Sequence, residues 1–153
     1  MQPMRPMPSA LLFACTMNAV RSPMAAALMR HLAGRGRPID SVGVRAGGPD
    51  PLAAAVMDEI GLAIGAHRPR RFEDLEAGAF GLIIALSPEA RQKAMEMAGA
   101  ASVEYWPTFD PTMVDGSREQ RLAAYRMVRD QLLARLKARF PVTAPLIAEA
   151  RKG

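Results

Sequence analysis

The sequence predicts one three-layer α/β domain, in which a four-stranded parallel sheet is covered by helices on both faces. Short apolar runs alternate with helical patterns along the chain, which is typical of βαβ units. The 153 residues match the length of one domain, and 50% of them are hydrophobic, which is enough for a buried core. We find no internal repeat or linker, so residues 9–150 are predicted to form a single domain. Residues 1–8 contain three prolines and are predicted to be a disordered N-terminal tail.

Four short apolar runs predict the strands of this sheet. They cover residues 9–14, 39–46, 81–86 and 103–106. The third run is apolar almost throughout, which is typical of a strand that is buried on both faces of a sheet. Helical segments separate successive strands, and this alternation favours parallel pairing.

Three predicted helices begin at a proline, which is favoured in the first turn because its missing N–H would have no partner there. The first covers residues 24–32, after Ser22 as the N-cap, and the second covers residues 51–60. The third follows Ser87 and covers residues 88–98 by the same capping logic.

The longest predicted helix begins after Ser117, which forms a capping-box pattern with Gln120. Its apolar residues recur every three or four positions, so one face is predicted to pack on the core. The opposite face is rich in arginine and is predicted to be solvated. The apolar face consists of Leu122, Tyr125, Val128, Leu132, Leu136 and Phe140.

Composition excludes several classes of protein and of partner. The net charge of +5 favours anionic partners, but aromatic residues make up only 5% of the chain, which argues against a stacking surface for nucleic acid. The apolar stretches are far shorter than the roughly 20 residues that cross a bilayer, so no membrane partner is predicted. A single cysteine excludes a disulfide framework and favours a reducing, cytoplasmic compartment.

The candidate site is the loop between the first strand and the first helix, where Cys15 and Arg21 are separated by five residues. Loop amides and a helix N-terminus bind phosphate, and they stabilise a thiolate in the same way. Arg21 supplies a planar pair of donors for two phosphoryl oxygens. Ser22 can donate to the thiolate or cap the helix, and Asn18 tolerates a left-handed backbone. The alternative interpretation of Cys15 is an inert, buried small hydrophobe.

Residues 12–24 resemble the opening of the low-molecular-weight protein tyrosine phosphatase family, which also includes thioredoxin-coupled arsenate reductases. Residues 61–68 resemble a segment in the middle of that family's chain. The dipeptide Asp110-Pro111 resembles its general-acid motif. The resemblance spans most of the chain and implies the family's fold, with neither a metal nor an organic cofactor.

The resemblance also implies roles for individual residues. Cys15 would attack phosphorus, and Asp110 would protonate the leaving group and then activate water; Asp115 is the fallback acid. Asn18, Ser22 and His67 would fix the shape of the loop. The implied phosphate-binding residues are Thr16, Met17, Asn18, Ala19, Val20, Arg21 and Ser22.

Four positions depart from the family pattern. Met17 replaces a usual glycine, so we expect a strained loop or a narrowed mouth. Val20 replaces a frequent second cysteine, which removes a protective disulfide. Thr112 stands where tyrosine phosphatases often carry an aromatic residue, which puts phosphotyrosine in doubt as the preferred substrate. Arg45 adds charge near the end of the second strand.

Three functions remain open at this point. The first is a cysteine-dependent phosphatase that hydrolyses phosphomonoesters through a cysteinyl-phosphate, with protein phosphotyrosine as one candidate substrate. The second is an arsenate reductase that uses an external thiol, because Cys15 alone cannot pass a disulfide along one chain. The third is a non-catalytic module that binds phosphate or a phosphoprotein. In each case the partner is a phosphorylated substrate or an inorganic oxyanion, and the oligomeric state stays open.

Overall fold

A computed structural model of the chain describes residues 8–34 and 36–140. Within them, four strands form one parallel sheet in the order β2-β1-β3-β4, which confirms the predicted fold class. The strands are β1 Leu11–Cys15, β2 Ile39–Gly43, β3 Leu82–Ala85 and β4 Ser102–Tyr105. The predicted tail at residues 1–7 and the end of the predicted domain beyond residue 140 lie outside the described residues.

Four α-helices connect and follow the strands, together with three short 3-10 turns. The helices are α1 Arg21–Ala33, α2 Pro51–Asp58, α3 Pro88–Met97 and α4 Arg118–Arg139. None of the helices in the described part of the chain is long and apolar enough to span a membrane.

The core lies in two layers, one on each face of the sheet. Side chains of β1 alternate between them: Leu11 and Phe13 face a cluster with α1, α2 and α4, whereas Leu12 and Ala14 face a cluster with α3. All five residues of β1 are buried, as expected for a central strand covered on both sides. The predicted apolar face of α4 is buried within the first cluster, at Leu122, Tyr125, Val128, Leu132, Leu136 and Phe140.

The ends of several elements differ from the predictions. Helix α1 begins at Arg21 instead of residue 24, and Ser22 does not act as its N-cap. Strand β2 ends at Gly43 instead of residue 46, because the chain beyond it bonds to the loop after β1. Helix α2 ends at Asp58 instead of residue 60. The end of α2 is set locally, since the Leu62 N–H donates to Met57 O at 3.0 Å and Gly61 adopts a φ of 78°.

The capping box at α4 is confirmed, and one arginine of this helix is buried. Gln120 N–H donates to Ser117 Oγ at 3.1 Å, and Ser117 N–H donates to Gln120 Oε1 at 2.8 Å. Arg129 is 8% exposed and donates to Val56 O at 2.8 Å and to Glu59 Oε1 at 2.8 Å. Arg129 is seven residues from both Leu122 and Leu136, so it lies on the buried face of α4, where it joins α4 to α2.

The strand order determines where a ligand can bind. The chain leaves β1 toward β2 on one side and later returns to β3 on the other side. Such a reversal opens a crevice at the carboxyl end of the central strand, where α/β proteins commonly bind their ligands. Cys15 is the last residue of β1 and lies at that end of the sheet.

Candidate active site

Cys15 lines a pocket of about 200 Å³ at the carboxyl end of β1. Its Sγ lies 3.0 Å from Ser22 Oγ in the first turn of α1. The Ser22 hydroxyl also lies 3.2 Å from Val42 O, to which it can donate its single hydrogen. When Cys15 is ionised, that hydrogen can turn to the sulfur instead. Ser22 is thus placed to stabilise a thiolate and does not cap the helix.

The loop of residues 16–20 joins Cys15 to the N-terminus of α1. Within residues 8–34 and 36–140, no protein group accepts a hydrogen bond from the N–H groups of this loop. The first N–H groups of a helix also lack partners within the helix. The loop and the helix therefore offer a set of unpaired donors, at the positive end of a helix dipole, to an anion.

The predicted phosphate-binding residues fall into two groups. Met17, Ala19, Val20 and Arg21 line the pocket with Cys15. The side chains of the remaining three form hydrogen bonds that stabilise the loop, and these residues are Thr16, Asn18 and Ser22.

Asn18 shapes the loop from a fully buried position. Its φ of 54° lies in the left-handed region, and it is the only residue other than glycine with a positive φ in the described part of the chain. Its Nδ2 donates to Ser22 Oγ at 2.9 Å and to Ser41 Oγ at 3.0 Å. Its Oδ1 accepts the Arg70 N–H at 2.8 Å. These bonds satisfy the side chain and stabilise a backbone conformation that costs most residues free energy.

The His67 side chain bonds to the main-chain carbonyl of Asn18. Its Nε2 lies 2.9 Å from Asn18 O, and because a carbonyl only accepts, this nitrogen must carry the hydrogen. Burial lowers the pKa of His67 below its ordinary value, against the opposing effect of the bond to Asn18, and Arg70 lowers it further. The imidazole is therefore held in its neutral form as a donor to the loop.

Arg21 connects the loop to the segment that carries the predicted acid. Its side chain is only 10% exposed, and Nη1 donates to Thr108 O at 2.9 Å. Its Nη2 lies 3.8 Å from Asp110 Oδ2. The guanidinium is thus fixed in the pocket with N–H groups still directed to a ligand.

Asp110 lines the same pocket as Cys15. Its Oδ1 accepts the Thr112 N–H at 3.0 Å and the Thr112 hydroxyl at 2.7 Å, which fixes the carboxyl at the start of a 3-10 turn. The other carboxylate oxygen, Oδ2, faces Arg21. Asp115, the fallback acid, is exposed and does not line the pocket. The structure therefore brings together Cys15, Arg21 and Asp110, but not Asp115.

Residues 10–140 match the model of the family described as low molecular weight phosphotyrosine protein phosphatase. The chain belongs to this family. A curated arsenate reductase of Shouchella clausii is 30% identical over 126 residues, which cover 82% of this chain and 90% of that protein. A cysteine-to-serine mutant of the arginine phosphatase YwlE, a protein of Bacillus subtilis, was solved with its active-site serine phosphorylated. It shares 26% identity and a TM-score of 0.67, covering 82% of this chain and 89% of that one. An arsenate reductase solved in an oxidised state shares the fold, with a TM-score of 0.72 at 24% identity over 85% of this chain and 95% of that one.

Within this family site, the sequence analysis missed one acidic residue that lines the pocket. Asp50 caps α2 by accepting the Leu52 and Ala53 N–H groups at 2.9 and 3.1 Å. Its Oδ2 accepts the Tyr125 hydroxyl at 2.7 Å, and burial together with this bond raises the pKa of Tyr125. The sequence Pro-Asp-Pro at the start of α2 predicts the cap, but only the fold places Asp50 beside Cys15.

A second missed contact fixes the start of the loop. Thr16 Oγ1 lies 3.0 Å from Ser87 Oγ and 3.4 Å from Glu89 Oε1, at the start of α3, and can donate its single hydrogen to either oxygen. Arg45, which the sequence analysis noted only as added charge, pairs with Glu89 at 3.4 Å. The loop is therefore fastened to α3 as well as to β2.

Two further expectations concern the loop backbone and metals. Met17 has no positive φ, so a left-handed strain at this position, one of the two expected effects of the missing glycine, is absent. No group of three or more histidine, cysteine or acidic residues is placed to hold a metal ion among residues 8–34 and 36–140.

Proposed function

We propose that this protein is a cysteine-dependent phosphatase that hydrolyses phosphomonoesters through a cysteinyl-phosphate. The observation that carries the proposal is the pocket that Cys15, Arg21 and Asp110 share, directly before the N-terminus of α1. The pocket combines a nucleophile, an anion site and a proton donor, which together suffice for phosphoryl transfer without a metal. The family membership supports the same chemistry.

In the first step, Cys15 Sγ attacks phosphorus, and the bond from phosphorus to the ester oxygen breaks. The loop N–H groups and Arg21 hold the non-bridging oxygens, which carry the charge in the transition state. Asp110, protonated in the substrate complex, gives its proton to the leaving oxygen. Ser22 donates to the sulfur and so stabilises the thiolate that leaves in the second step.

In the second step, water attacks the phosphorus of the cysteinyl-phosphate, and Asp110, now ionised, accepts a proton from that water. The bond from sulfur to phosphorus breaks, inorganic phosphate leaves, and Cys15 returns as the thiolate. One carboxyl thus serves as acid and then as base, which is why it must lie within the pocket and on the side of the reacting oxygens.

The proposal extends to substrate and compartment. Protein phosphotyrosine is one candidate substrate. The likeness to an arginine phosphatase makes phosphoarginine a second candidate, whose phosphorus is bonded to nitrogen instead of an ester oxygen. A cytoplasmic location is consistent with the free Cys15.

The test is hydrolysis of phenyl phosphate and para-nitrophenyl phosphate by the purified protein. We expect Cys15→Ser to abolish turnover and Asp110→Asn to lower kcat by about 10²- to 10⁴-fold with phenyl phosphate. The loss should be smaller with para-nitrophenyl phosphate, because a less basic leaving group needs less protonation. Asp115→Asn is the matched control and should behave as wild type. No phosphate release by the wild type, or equal activity of Cys15→Ser, would refute the proposal.

Arsenate reduction is a second candidate function, because the curated proteins that this chain resembles include arsenate reductases. The 153-residue sequence holds one cysteine, so the two electrons must come from two external thiols that end as a disulfide. Glutathione oxidation that requires both arsenate and Cys15, with negligible release of phosphate from esters, would favour the reductase. Binding of phosphate without either reaction would favour the non-catalytic module.

A further inference from the structure

A cleft outside the catalytic pocket lies between α1 and the chain that follows α2. Its volume is about 840 Å³, within the range of about 300–1,000 Å³ that is common for small-molecule sites. It shares no lining residue with the pocket of Cys15. We propose that this cleft is a second binding site, which takes a small organic anion with an apolar body.

Two arginines and two histidines give the cleft a positive lining. They are Arg30, Arg37, His31 and His67. No acidic side chain from residues 8–34 and 36–140 lines the cleft. Asp40 Oδ1 lies 3.8 Å from Arg30 Nη2 and also bonds to Arg70, so it offsets the charge of Arg30 only in part. Arg37 forms no ion pair within the described part of the chain, and the lining therefore favours an anion.

Part of each guanidinium is anchored to the main chain. Arg30 donates from Nε and Nη2 to Ile39 O, at 3.1 and 2.6 Å. Arg37 donates from Nη1 to Pro8 O at 2.7 Å. The other N–H groups, on Arg30 Nη1 and on Arg37 Nε and Nη2, have no acceptor among residues 8–34 and 36–140. Since a guanidinium carries five N–H donors in a fixed fork, each arginine keeps donors for a carboxylate.

Apolar side chains form another part of the lining. Leu62 and Ile64 come from the segment after α2, and Ala27 comes from α1. Leu62 and Ile64 are only half-buried, so they keep apolar surface that a ligand can cover. An inorganic anion would leave this surface in water, whereas an organic anion with an apolar body would cover it, which is favourable.

The parts of the chain outside the described residues supply no excess of negative charge for this cleft. Residues 1–7 carry one arginine and no acidic side chain, and residue 35 is an arginine. Residues 141–153 carry one glutamate, one arginine and one lysine. The anion that the lining favours is therefore a separate molecule.

His67 connects the cleft to the catalytic loop, because it lines the cleft while its Nε2 bonds to Asn18 O at 2.9 Å. Burial lowers the pKa of His67, and the charges of Arg70 and Arg30 lower it further. The bond to Asn18 and the charge of Asp40 act in the opposite direction. An anion bound at Arg30 adds negative charge beside the imidazole and favours its protonated form. Occupation of the cleft should therefore raise the pKa of His67.

The first experiment measures the binding of three probes to the full chain by isothermal titration calorimetry. Naphthalene-1-acetate combines a carboxylate with an apolar ring system, naphthalene-1-acetamide keeps the rings without the charge, and acetate keeps the charge without the rings. We expect naphthalene-1-acetate to bind, and the acetamide to bind about five- to tenfold more weakly, since its hydrogen bonds are neutral. Acetate should also bind more weakly, because it covers no apolar surface. No binding of naphthalene-1-acetate, or an equal affinity for either other probe, would overturn the proposal.

Substitution of single arginines tests whether naphthalene-1-acetate binds in this cleft. Arg30→Gln and Arg37→Gln should each weaken its binding by about two- to fivefold, the range of an ion pair between partly exposed groups. Arg91→Gln is the matched control, because it removes the same charge from α3 on the opposite face of the sheet. The control should bind as the wild type does. Equal affinities in all three variants would overturn the proposal, since the cleft would then not be recognised.

The second experiment follows the imidazole signals of His67 by NMR during a pH titration, with and without saturating naphthalene-1-acetate. We expect the pKa of His67 to rise in the saturated protein. An unchanged or lower pKa would contradict binding beside Arg30 and His67. Neither experiment requires turnover, so a failed phosphatase assay would refute the proposed function alone and leave the second site to these measurements.

Discussion

Replacement of Asn18 gives the sharpest test of how the loop is held. Asn18→Ala removes two donor bonds to Ser22 and Ser41 and the acceptor for the Arg70 N–H, all around a residue with no solvent exposure. A buried polar group left without a partner costs about 1–3 kcal/mol. Alanine also pays roughly 1–2 kcal/mol for a left-handed backbone that asparagine tolerates.

We therefore expect Asn18→Ala to lower the free energy of unfolding by about 2–5 kcal/mol, a large share of the roughly 5–15 kcal/mol typical of a domain. Asn18→Gly makes the same deletion but removes the backbone penalty. The glycine variant should consequently be more stable than the alanine variant by about 0.5–1 kcal/mol, after its greater chain entropy is deducted.

The assay is urea unfolding of the three proteins at neutral pH, followed by tryptophan fluorescence and circular dichroism. The reasoning is refuted if Asn18→Ala lies within about 0.5 kcal/mol of wild type, the size of an ordinary surface effect. It is also refuted if the alanine variant is at least as stable as the glycine variant, since the backbone at residue 18 would then not be strained.

Two further predictions concern pH. Because the pKa of His67 is lowered from 6.5 in the folded protein, the unfolded chain binds the proton first, and stability should fall as the pH drops below about 6.5. The Tm measured from about pH 7.5 to 5 should therefore decline less in His67→Gln than in the wild type. An unchanged decline in His67→Gln, or an equal effect of replacing the exposed His31 by glutamine, would contradict this. Arg126 and Arg129 lower the pKa of Glu59 from 4.5 to about 2, so Glu59→Gln should destabilise the protein at neutral pH, and its difference from wild type in urea unfolding should shrink as the pH falls from 4.5 toward 2. A difference that stays constant over that range would exclude ionisation of Glu59 as its source.

Much of the fold could be predicted because its signals are local. The alternation of apolar runs with helix-forming segments is enough to predict the parallel sheet, and Ser87 and Ser117 mark helix starts by short-range hydrogen bonds. The spacing of Cys15 and Arg21 identifies the loop for the same reason, since a strand, a five-residue turn and a helix follow each other directly.

What could not be predicted depends on contacts between distant segments. Asp50 meets Tyr125 across 75 positions of sequence, and Asn18 meets Arg70 across 52. The role of Ser22 shows why local rules fail there. Serine before proline favours an N-cap, but Ser22 lies inside the first turn, where its hydroxyl is 3.2 Å from Val42 O of the neighbouring strand. The sequence allows Ser22 either to cap the helix or to donate to the thiolate, and the geometry of the sheet decides between these two roles.

The way the acid reaches the pocket also follows from the sheet and not from the loop sequence. Beyond β4, Trp106 N–H donates to Ala85 O at 2.8 Å and Thr108 N–H donates to Leu86 O at 3.1 Å, so the chain continues alongside the end of β3. This path leads toward the centre of the sheet, where Arg21 bonds to Thr108 O. Arg21, which is proposed to bind the phosphoryl group, therefore also fixes the segment that carries Asp110. A change at Arg21 should for that reason affect both anion binding and protonation, and its effect on kcat cannot be divided into independent parts.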